Sequence, residues 1–260
     1  MGAVAPSPRP FVMTHPNGKE AAFPSDANAL ALKLERFFPL DRIDRLALDD
    51  LTRASEWVAP RKAILSEGDA SETIVPLLAG LAYRHKDFRD GRRQILSLLV
   101  PGDICGVDGR PSGPIHYGVR ALTRCLIAKA PPERFRMLLE DHPAIAGALR
   151  QASLVEEAVL RTWIVNLGQR HAHERLAHLV CELAHRMKDC RRLLSHGGFE
   201  LPLTQQELGA ALGLTSVHVN RVLQRLRAEN LIAFQNGTMR IFDADRLRSV
   251  ADFDPTYLSA

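Results

Sequence analysis

No apolar run in the 260-residue sequence is long enough to cross a bilayer. The longest, near Ile95–Val100, is broken by Ser97 and stopped by Pro101. The first ten residues hold three prolines and no apolar core, so they do not read as a secretory signal. Gly2 follows Met1, but Pro6 occupies the position where the myristoylation pattern requires Ser or Thr. Cysteine is scarce: Cys105, Cys125, Cys181 and Cys190 are scattered without CxxC spacing, and none precedes Cys105. With no export signal, reduced thiols in the cytoplasm are the expectation, and no membrane partner is implied. No Ser–His–Asp or paired-carboxylate arrangement stands out, and nothing calls for a cofactor or a metal. What is present is an ordinary globular balance, 46% hydrophobic and 25% charged, with a formal net charge of +4. That sign suits a nucleic-acid partner without establishing one.

The chain divides by pattern. Residues 1–29 are rich in Pro, Ala and Ser with little periodicity, the composition of a disordered arm. Leu30, Leu34, Phe37, Phe38, Ile43, Leu46 and Leu51 form an amphipathic series that Pro39 splits into two short helices. From Arg61 to about Lys129, short apolar runs alternate with turn residues. Glu67-Gly68-Asp69, Asp90-Gly91, Pro101-Gly102-Asp103 and Pro111-Ser112-Gly113-Pro114 are the turns; Ile74–Leu78, Ile95–Val100 and Cys125–Ala128 are strand-length runs. That spacing predicts an all-β sandwich or barrel. A short helix follows over Glu133–Glu140, and a long one over Ala144–Asn166. The apolar residues Ile145, Leu149, Ala152, Val155, Val159 and Trp163 recur along the long helix at one-face spacing, enough for one partner. Burying that stripe against a second copy predicts a homodimer. A further helix runs from about Arg170 to Lys188, and His196-Gly197-Gly198 closes it as a loop.

The most informative segment begins at Leu201. Thr204 opens a capping box with Glu207, so a helix starts there, with Leu208, Ala211 and Leu212 on its buried face. Gly213 supplies a left-handed stop, and Thr215 caps the next helix, whose core side is Val219, Val222, Leu223 and Leu226. Helix, glycine turn, helix is the spacing of a helix-turn-helix. Its second helix presents Ser216, Val217, Asn220 and Arg221 opposite the core side, where a major groove would meet them. Arg221 suits bidentate bonding to guanine and Val217 a thymine methyl. Thr204, Gln206, Thr215, Arg225 and Arg227 are the expected phosphate contacts, since Thr215–Arg227 contains no acid. Leu231–Phe234 and Met239–Phe242 flank Asn236-Gly237, the preferred type I′ hairpin turn, which predicts a β wing. Asp243 caps a last helix to about Val250.

On these residues the chain resembles the Crp/Fnr family of regulators, over about residues 30–250. Thr204–Phe234 carries most of the likeness, with Val219-Asn220-Arg221 and Leu226-Arg227-Ala228-Glu229-Asn230-Leu231-Ile232 at its centre; Pro101-Gly102-Asp103-Ile104-Cys105-Gly106 adds to it. The resemblance implies an α+β chain. It comprises a cyclic-nucleotide-binding-like β-barrel of jelly-roll type with flanking helices (30–143), a dimerisation helix (144–167) and a winged helix-turn-helix (168–260). It also implies a homodimer acting on double-stranded DNA and on RNA polymerase. The departures concern the effector. Val107 stands where cAMP-binding members carry Glu, and Ile115 and His116 stand where they carry the phosphate-gripping Arg-Ser or Arg-Thr pair. A cyclic phosphate without that arginine loses its bidentate partner, so cAMP is not the expected effector unless Arg120 or Arg124 replaces it. The cysteine cluster of the oxygen-sensing members is absent.

His171, His173, His178 and His185 crowd one helix. The HExxH pattern fails at Ala177, and the heptad spacing of His171, His178 and His185 fits a solvated or interdomain face better than a metal site. A metal-dependent enzyme built on these histidines is the rival reading; a haem or redox sensor using His85 and His116 is a second. The basic stretch Tyr83–Arg93 reads as an exposed hairpin.

Overall fold

The structure is a computed structural model describing residues 28–70, 73–106, 114–194 and 197–259. Nearly all of the N-terminal arm, Val107, His196 and the turn residues Pro111-Ser112-Gly113 lie outside the described residues. Two helices come first, α1 (Ala29–Leu34) and α2 (Arg42–Thr52), the second opened by an Asp41–Asp44 capping box. Of the apolar series there, Leu30, Leu34 and Leu51 are buried, but Phe38, Ile43 and Leu46 are exposed. Helix α2 instead buries Leu48 and Asp44, and the Asp44 carboxylate bonds His142 at 2.9 Å.

Eight strands follow: β1 (Ser55–Val58), β2 (Ala63–Leu65), β3 (Val75–Ala79), β4 (Ala82–Asp87), β5 (Arg93–Leu99), β6 (Ile104–Cys105), β7 (Gly118–Ala121) and β8 (Cys125–Ala128). They form two antiparallel sheets, ordered β1-β8-β3-β6 and β2-β7-β4-β5. First pairs with last, second with seventh, third with sixth, and fourth with fifth. The chain is therefore folded in half at the β4–β5 hairpin and rolled, which is the jelly-roll arrangement. Val75, Leu77, Val119, Ala121 and Ile127 from the two sheets pack together inside it. The hairpin turns at Gly91, whose φ of +83° a side chain would resist. Only its tip is the exposed loop expected for Tyr83–Arg93: Tyr83 is buried, and Arg84 points inward, within strand β4.

Between Arg84 and His85 the β4–β5 register slips by one residue on the β5 side. This bulge resets the inside–outside alternation. It lets Ile95 and Leu98, three residues apart, join one outward apolar cluster with Tyr83. That cluster is continuous with the core of the C-terminal helices, from Leu176 and Leu183 to Leu208 and Phe199. The jelly roll and the C-terminal part thus share a core.

Helix α3 (Pro132–Asp141) leads to α4 (Pro143–Gln169), then α5 (Ala172–Asp189). The chain ends with the short strand β9 (Phe199–Glu200), α6 (Gln205–Leu212), α7 (Ser216–Ala228), the β10 (Ile232–Gln235) and β11 (Thr238–Ile241) hairpin, α8 (Ala244–Ala251) and a 3-10 turn at Pro255–Leu258. Among the described residues, no helix is long and apolar enough to cross a membrane.

Half of the stripe expected to face a second copy is turned the other way. Ile145, Val159 and Trp163 are at most 6% exposed within the single chain, while Leu149, Ala152 and Val155 are half-buried. The Trp163 indole donates to the Glu182 carboxylate at 3.1 Å, fixing this face against α5. Residues at that level of burial have no surface left for a partner, so those three do not form the dimer seam. The spacing was read correctly as one helix face; its partner is the chain's own sheet and helices. On the opposite side of α4, Leu154, Ile164 and Val165 are exposed at 51%, 70% and 50%.

Candidate nucleic-acid interface

Thr204 accepts from the Glu207 amide at 3.1 Å, and the Glu207 carboxylate returns to the Thr204 amide at 2.9 Å. This closed capping box starts α6. Gly213 ends it in the left-handed region, with φ +65° and ψ +37°. Gly209 permits the tight crossing: a Cβ there would stand 2.4 Å from the Leu214 carbonyl oxygen. Thr215 then caps α7 by accepting from the His218 amide at 3.2 Å. Four residues, Val219, Val222, Leu223 and Leu226, bury one side of α7.

The opposite side is bare. Ser216, Val217, Asn220 and Arg221 are all exposed, Val217 at 70%. Gln224 is exposed one turn beyond Asn220 and Arg221, on the same side. Sequence reading missed it, although the helical spacing that selected Val217 also selects Gln224. The Gln205 side-chain amide donates to Asn220 Oδ1 at 3.4 Å, so α6 steadies one residue of this face.

Thr204, Gln206 and Thr215 lie exposed at the N-terminal ends of α6 and α7, where helix dipoles favour anions. Arg225 is exposed and pairs with Glu229 at 2.9 Å; Glu229 in turn accepts from His173 at 3.1 Å. The Arg225 hydrogen bond, with a weaker pull from His173, holds the Glu229 carboxyl below its usual range. Arg227 differs from its expected role as a phosphate contact. Its guanidinium is half-buried and donates to the Phe234 carbonyl, tying α7 to the wing. The wing turns at Asn236 and Gly237, both with positive φ, as a type I′ turn requires. Gly237 also passes within contact of Pro202, where a Cβ would stand 3.2 Å away.

In the expected effector position, Ile115 is buried and apolar, and His116 is exposed; no arginine stands at either. Of the substitute donors, Arg124 lies over the Trp57 ring at 4.5 Å, and Arg120 directs Nη1 toward the Arg61 carbonyl at 3.4 Å while its Nε is buried without a hydrogen-bond partner. His85 bonds Asp87 at 3.2 Å and covers Gly118, where a Cβ would come within 2.7 Å of the ring. Burial and the nearby Arg93 lower its pKa.

The histidine-rich helix is not one solvated face. His171 is the residue before α5, His173 bonds Glu229, and His185 pairs with Asp189 at 3.5 Å. His178 is buried. It accepts from the Asn166 amide at 3.0 Å and lies between Phe253 and Tyr257, with ring centroids 5.2 and 6.0 Å away. Burial lowers its pKa to about 4. Among the described residues, no group of three metal-binding side chains converges. Burial raises the thiols of Cys125, Cys181 and Cys190 to about 11, 12 and 11, so they are protonated at neutral pH.

Two family models match these two halves: the cyclic nucleotide-binding domain over residues 55–142, and the Crp-like helix-turn-helix domain over residues 174–250. The transcriptional activator protein FnrL of Cereibacter sphaeroides is 30% identical over 176 residues, covering 67% of this chain and 70% of FnrL. The chain belongs to the Crp/Fnr family of transcription regulators. The nitrogen fixation regulation protein FixK of Bradyrhizobium diazoefficiens is 28% identical over 193 residues, covering 73% of this chain and 78% of that protein. The structure of FixK2 from Bradyrhizobium japonicum superposes with a TM-score of 0.65 at 23% identity, over 76% of this chain and 96% of that one. This likeness concerns the fold. Crp/Fnr members are regulators and not enzymes, which sets aside the metal-dependent enzyme. In this member the helix-turn-helix is complete, and neither Ile115 nor His116 supplies a guanidinium.

Proposed function

We propose that this Crp/Fnr regulator binds operator DNA as a homodimer and controls transcription through RNA polymerase without cAMP. The bare polar face of α7 carries the reading. Val217, Asn220, Arg221 and Gln224 share it, and its core side is wholly buried, so the helix has one surface to offer a groove. Ser216 flanks that face at the helix start. Thr204, Gln206, Thr215 and Arg225 meet phosphates on either side. The partner copy docks on the outward face of α4, through Leu154, Ile164 and Val165, which an isologous contact would bury. The cAMP-independence rests on Ile115, an apolar residue where a phosphate needs a guanidinium.

The test begins with operator selection from a random duplex library, followed by titration of the selected and scrambled duplexes at two salt concentrations. An inverted repeat is expected, its half-sites about one helical turn apart or slightly more. Binding is expected to weaken steeply with salt and not to respond to cAMP. Equal affinity for selected and scrambled duplexes at both salts would overturn the reading.

A further inference from the structure

Between α1, the turn at Pro101-Gly102-Asp103, α4 and the end of α5 lies a cavity of about 110 Å³. Among the described residues of the degenerate phosphate position, neither Ile115 nor His116 lines it. Its walls come from both halves of the chain. Lys33 and Arg84 belong to the N-terminal half; Arg186 and Leu258 belong to the C-terminal half. Leu98, Val159 and Leu258 give it an apolar lining.

The charge of the walls is unbalanced. Among the described residues, cationic side chains outnumber carboxylates by two to one. Each carboxylate is already engaged. Asp103, buried, accepts from the Val100 amide at 2.8 Å, from Arg186 at 2.9 Å and from Lys33. Glu156 pairs with Arg84, and Asp189 with Arg36 at 2.7 Å. The guanidinium groups of Arg84 and Arg186 are less fully spent. Each carries five N–H donors. Arg84 directs two nitrogens at Ser97 Oγ (3.2 Å), the Ile104 carbonyl (2.8 Å) and Glu156. Arg186 has one good contact, to Asp103, and a long one of 3.5 Å to Glu182. The walls therefore have donor capacity and positive charge in excess, around an apolar centre.

We infer that this cavity binds a small organic anion with an apolar body, of the carboxylate class. The apolar part displaces water from the wall of Leu98, Val159 and Leu258, and the carboxylate takes the surplus donors of Arg84 and Arg186. A cation would meet net repulsion there, and a neutral molecule would leave the surplus donors unused. The occupant touches both halves of the chain, so its affinity is linked to how the helix-turn-helix half is docked on the jelly roll. This rests on the regulator reading in one respect: the anion is then the regulator's effector.

The test is isothermal titration calorimetry of the full-length protein with octanoate and, as the uncharged counterpart, octanamide. Octanoate is expected to bind one site per chain, at least tenfold more tightly than octanamide. Leu160→Trp, which adds bulk at a partly exposed position of the rim, is expected to weaken octanoate at least tenfold while leaving the fold intact. Arg84→Gln should weaken octanoate and leave octanamide unchanged. Equal affinity for the two probes, no heat with octanoate, or octanoate binding unaltered by Leu160→Trp would each overturn the proposal. Operator titration of the same samples without probe separates the two readings: intact DNA binding with no octanoate heat removes only the ligand.

Discussion

Helices α4 and α7 each bury one side in their own chain and leave the other side bare, and the bare sides have different chemistry. On α4 the bare side is apolar: Leu154, Ile164 and Val165 stand out of the surface, with Arg161 and Glu157 paired between them. On α7 it is polar and cationic, with Asn220, Arg221 and Gln224 around a single exposed valine. A wide apolar strip with self-neutralised charges is suited to another protein surface, in the proposed dimer a second copy. A strip of amide and guanidinium donors with no acid nearby is suited to base edges and phosphates. The two helices also differ in how they are held. The buried side of α4 includes a polar anchor, the Trp163–Glu182 bond, to which Tyr257 adds its hydroxyl at 3.0 Å. The buried side of α7 is wholly aliphatic.

Paired substitutions in α4 test the comparison most strongly. Ile145→Glu places an unpaired carboxylate in the apolar core that α4 shares with α1 and α2 and is expected to cost on the order of 3–5 kcal/mol, seen as a lower denaturant midpoint. Ile164→Glu changes the stability of the single chain by only about 0.5 kcal/mol or less. It sets like charges across the proposed two-fold seam, so sedimentation should show monomers with native circular dichroism. If Ile164→Glu remains dimeric, or Ile145→Glu yields stable folded monomers, the two sides of α4 have been assigned the wrong way round.

A second effect belongs to the buried side alone. His178 has its pKa lowered to about 4 by burial, against 6.5 in the unfolded chain. The unfolded state therefore binds a proton over a range where the native state does not, and stability rises with pH there. The contribution is complete above about pH 6.5 and is lost as pH falls toward 4, to a total of about 3 kcal/mol. Arg170 adds to the lowering and Asp252 opposes it. Urea denaturation of wild type and His178→Gln at pH 7 and pH 4.5 measures it. A pH dependence unchanged by the substitution would assign the loss to other groups.

A third, smaller effect concerns the bare side of α7. Arg221→Ala is expected to cost about 1–3 kcal/mol of operator preference per half-site, with non-specific binding retained. Competition between operator and scrambled duplexes reads the preference directly. An unchanged preference would move base reading to Asn220 or Gln224.

Local signals were the most legible part of the sequence. The capping box at Thr204, the glycine at 213 and the Asn236-Gly237 turn each dictate backbone geometry within a few residues, and each appears as expected. The same holds for the turns at Asp90-Gly91 and Pro101-Gly102. Periodicity was legible too, but it names a face without naming what covers it. Ile145, Val159 and Trp163 lie on one face of α4, yet Ile145 is covered by α1 and α2 and Val159 shares a core with the sheet, both far off in sequence, and only the α5 that covers Trp163 follows directly. Exposed Leu154, Ile164 and Val165 escaped notice because a second apolar strip dilutes the amphipathic contrast of a helix. Strands β1, β2 and β7 were missed for a different reason. They are three or four residues long and are held by pairing with partners as many as seventy residues away, as in β1 with β8. The internal role of Arg227 was illegible because it depends on a carbonyl in the wing.

The smallest expected effect separates two arginines that look alike in sequence. Arg225 lies on the surface of α7, and its partner Glu229 also accepts from His173. Arg225 can leave Glu229 for a phosphate at little cost, because an exposed pair of this kind contributes only about 0.3–0.5 kcal/mol. Arg227 is committed to the Phe234 carbonyl and holds the wing on α7. Arg225→Ala should therefore weaken operator and scrambled DNA alike and reduce the slope of log affinity against log salt by about 0.9, one phosphate contact's worth. Arg227→Ala should leave that slope unchanged. Its effect should appear as faster amide exchange in β10 and β11 and a stability loss of about 1 kcal/mol, the net value of one hydrogen bond. The measurements are a salt titration of both variants on both duplexes, and hydrogen exchange of the free proteins. A reduced slope for Arg227→Ala with normal exchange in the wing would return that residue to the DNA surface.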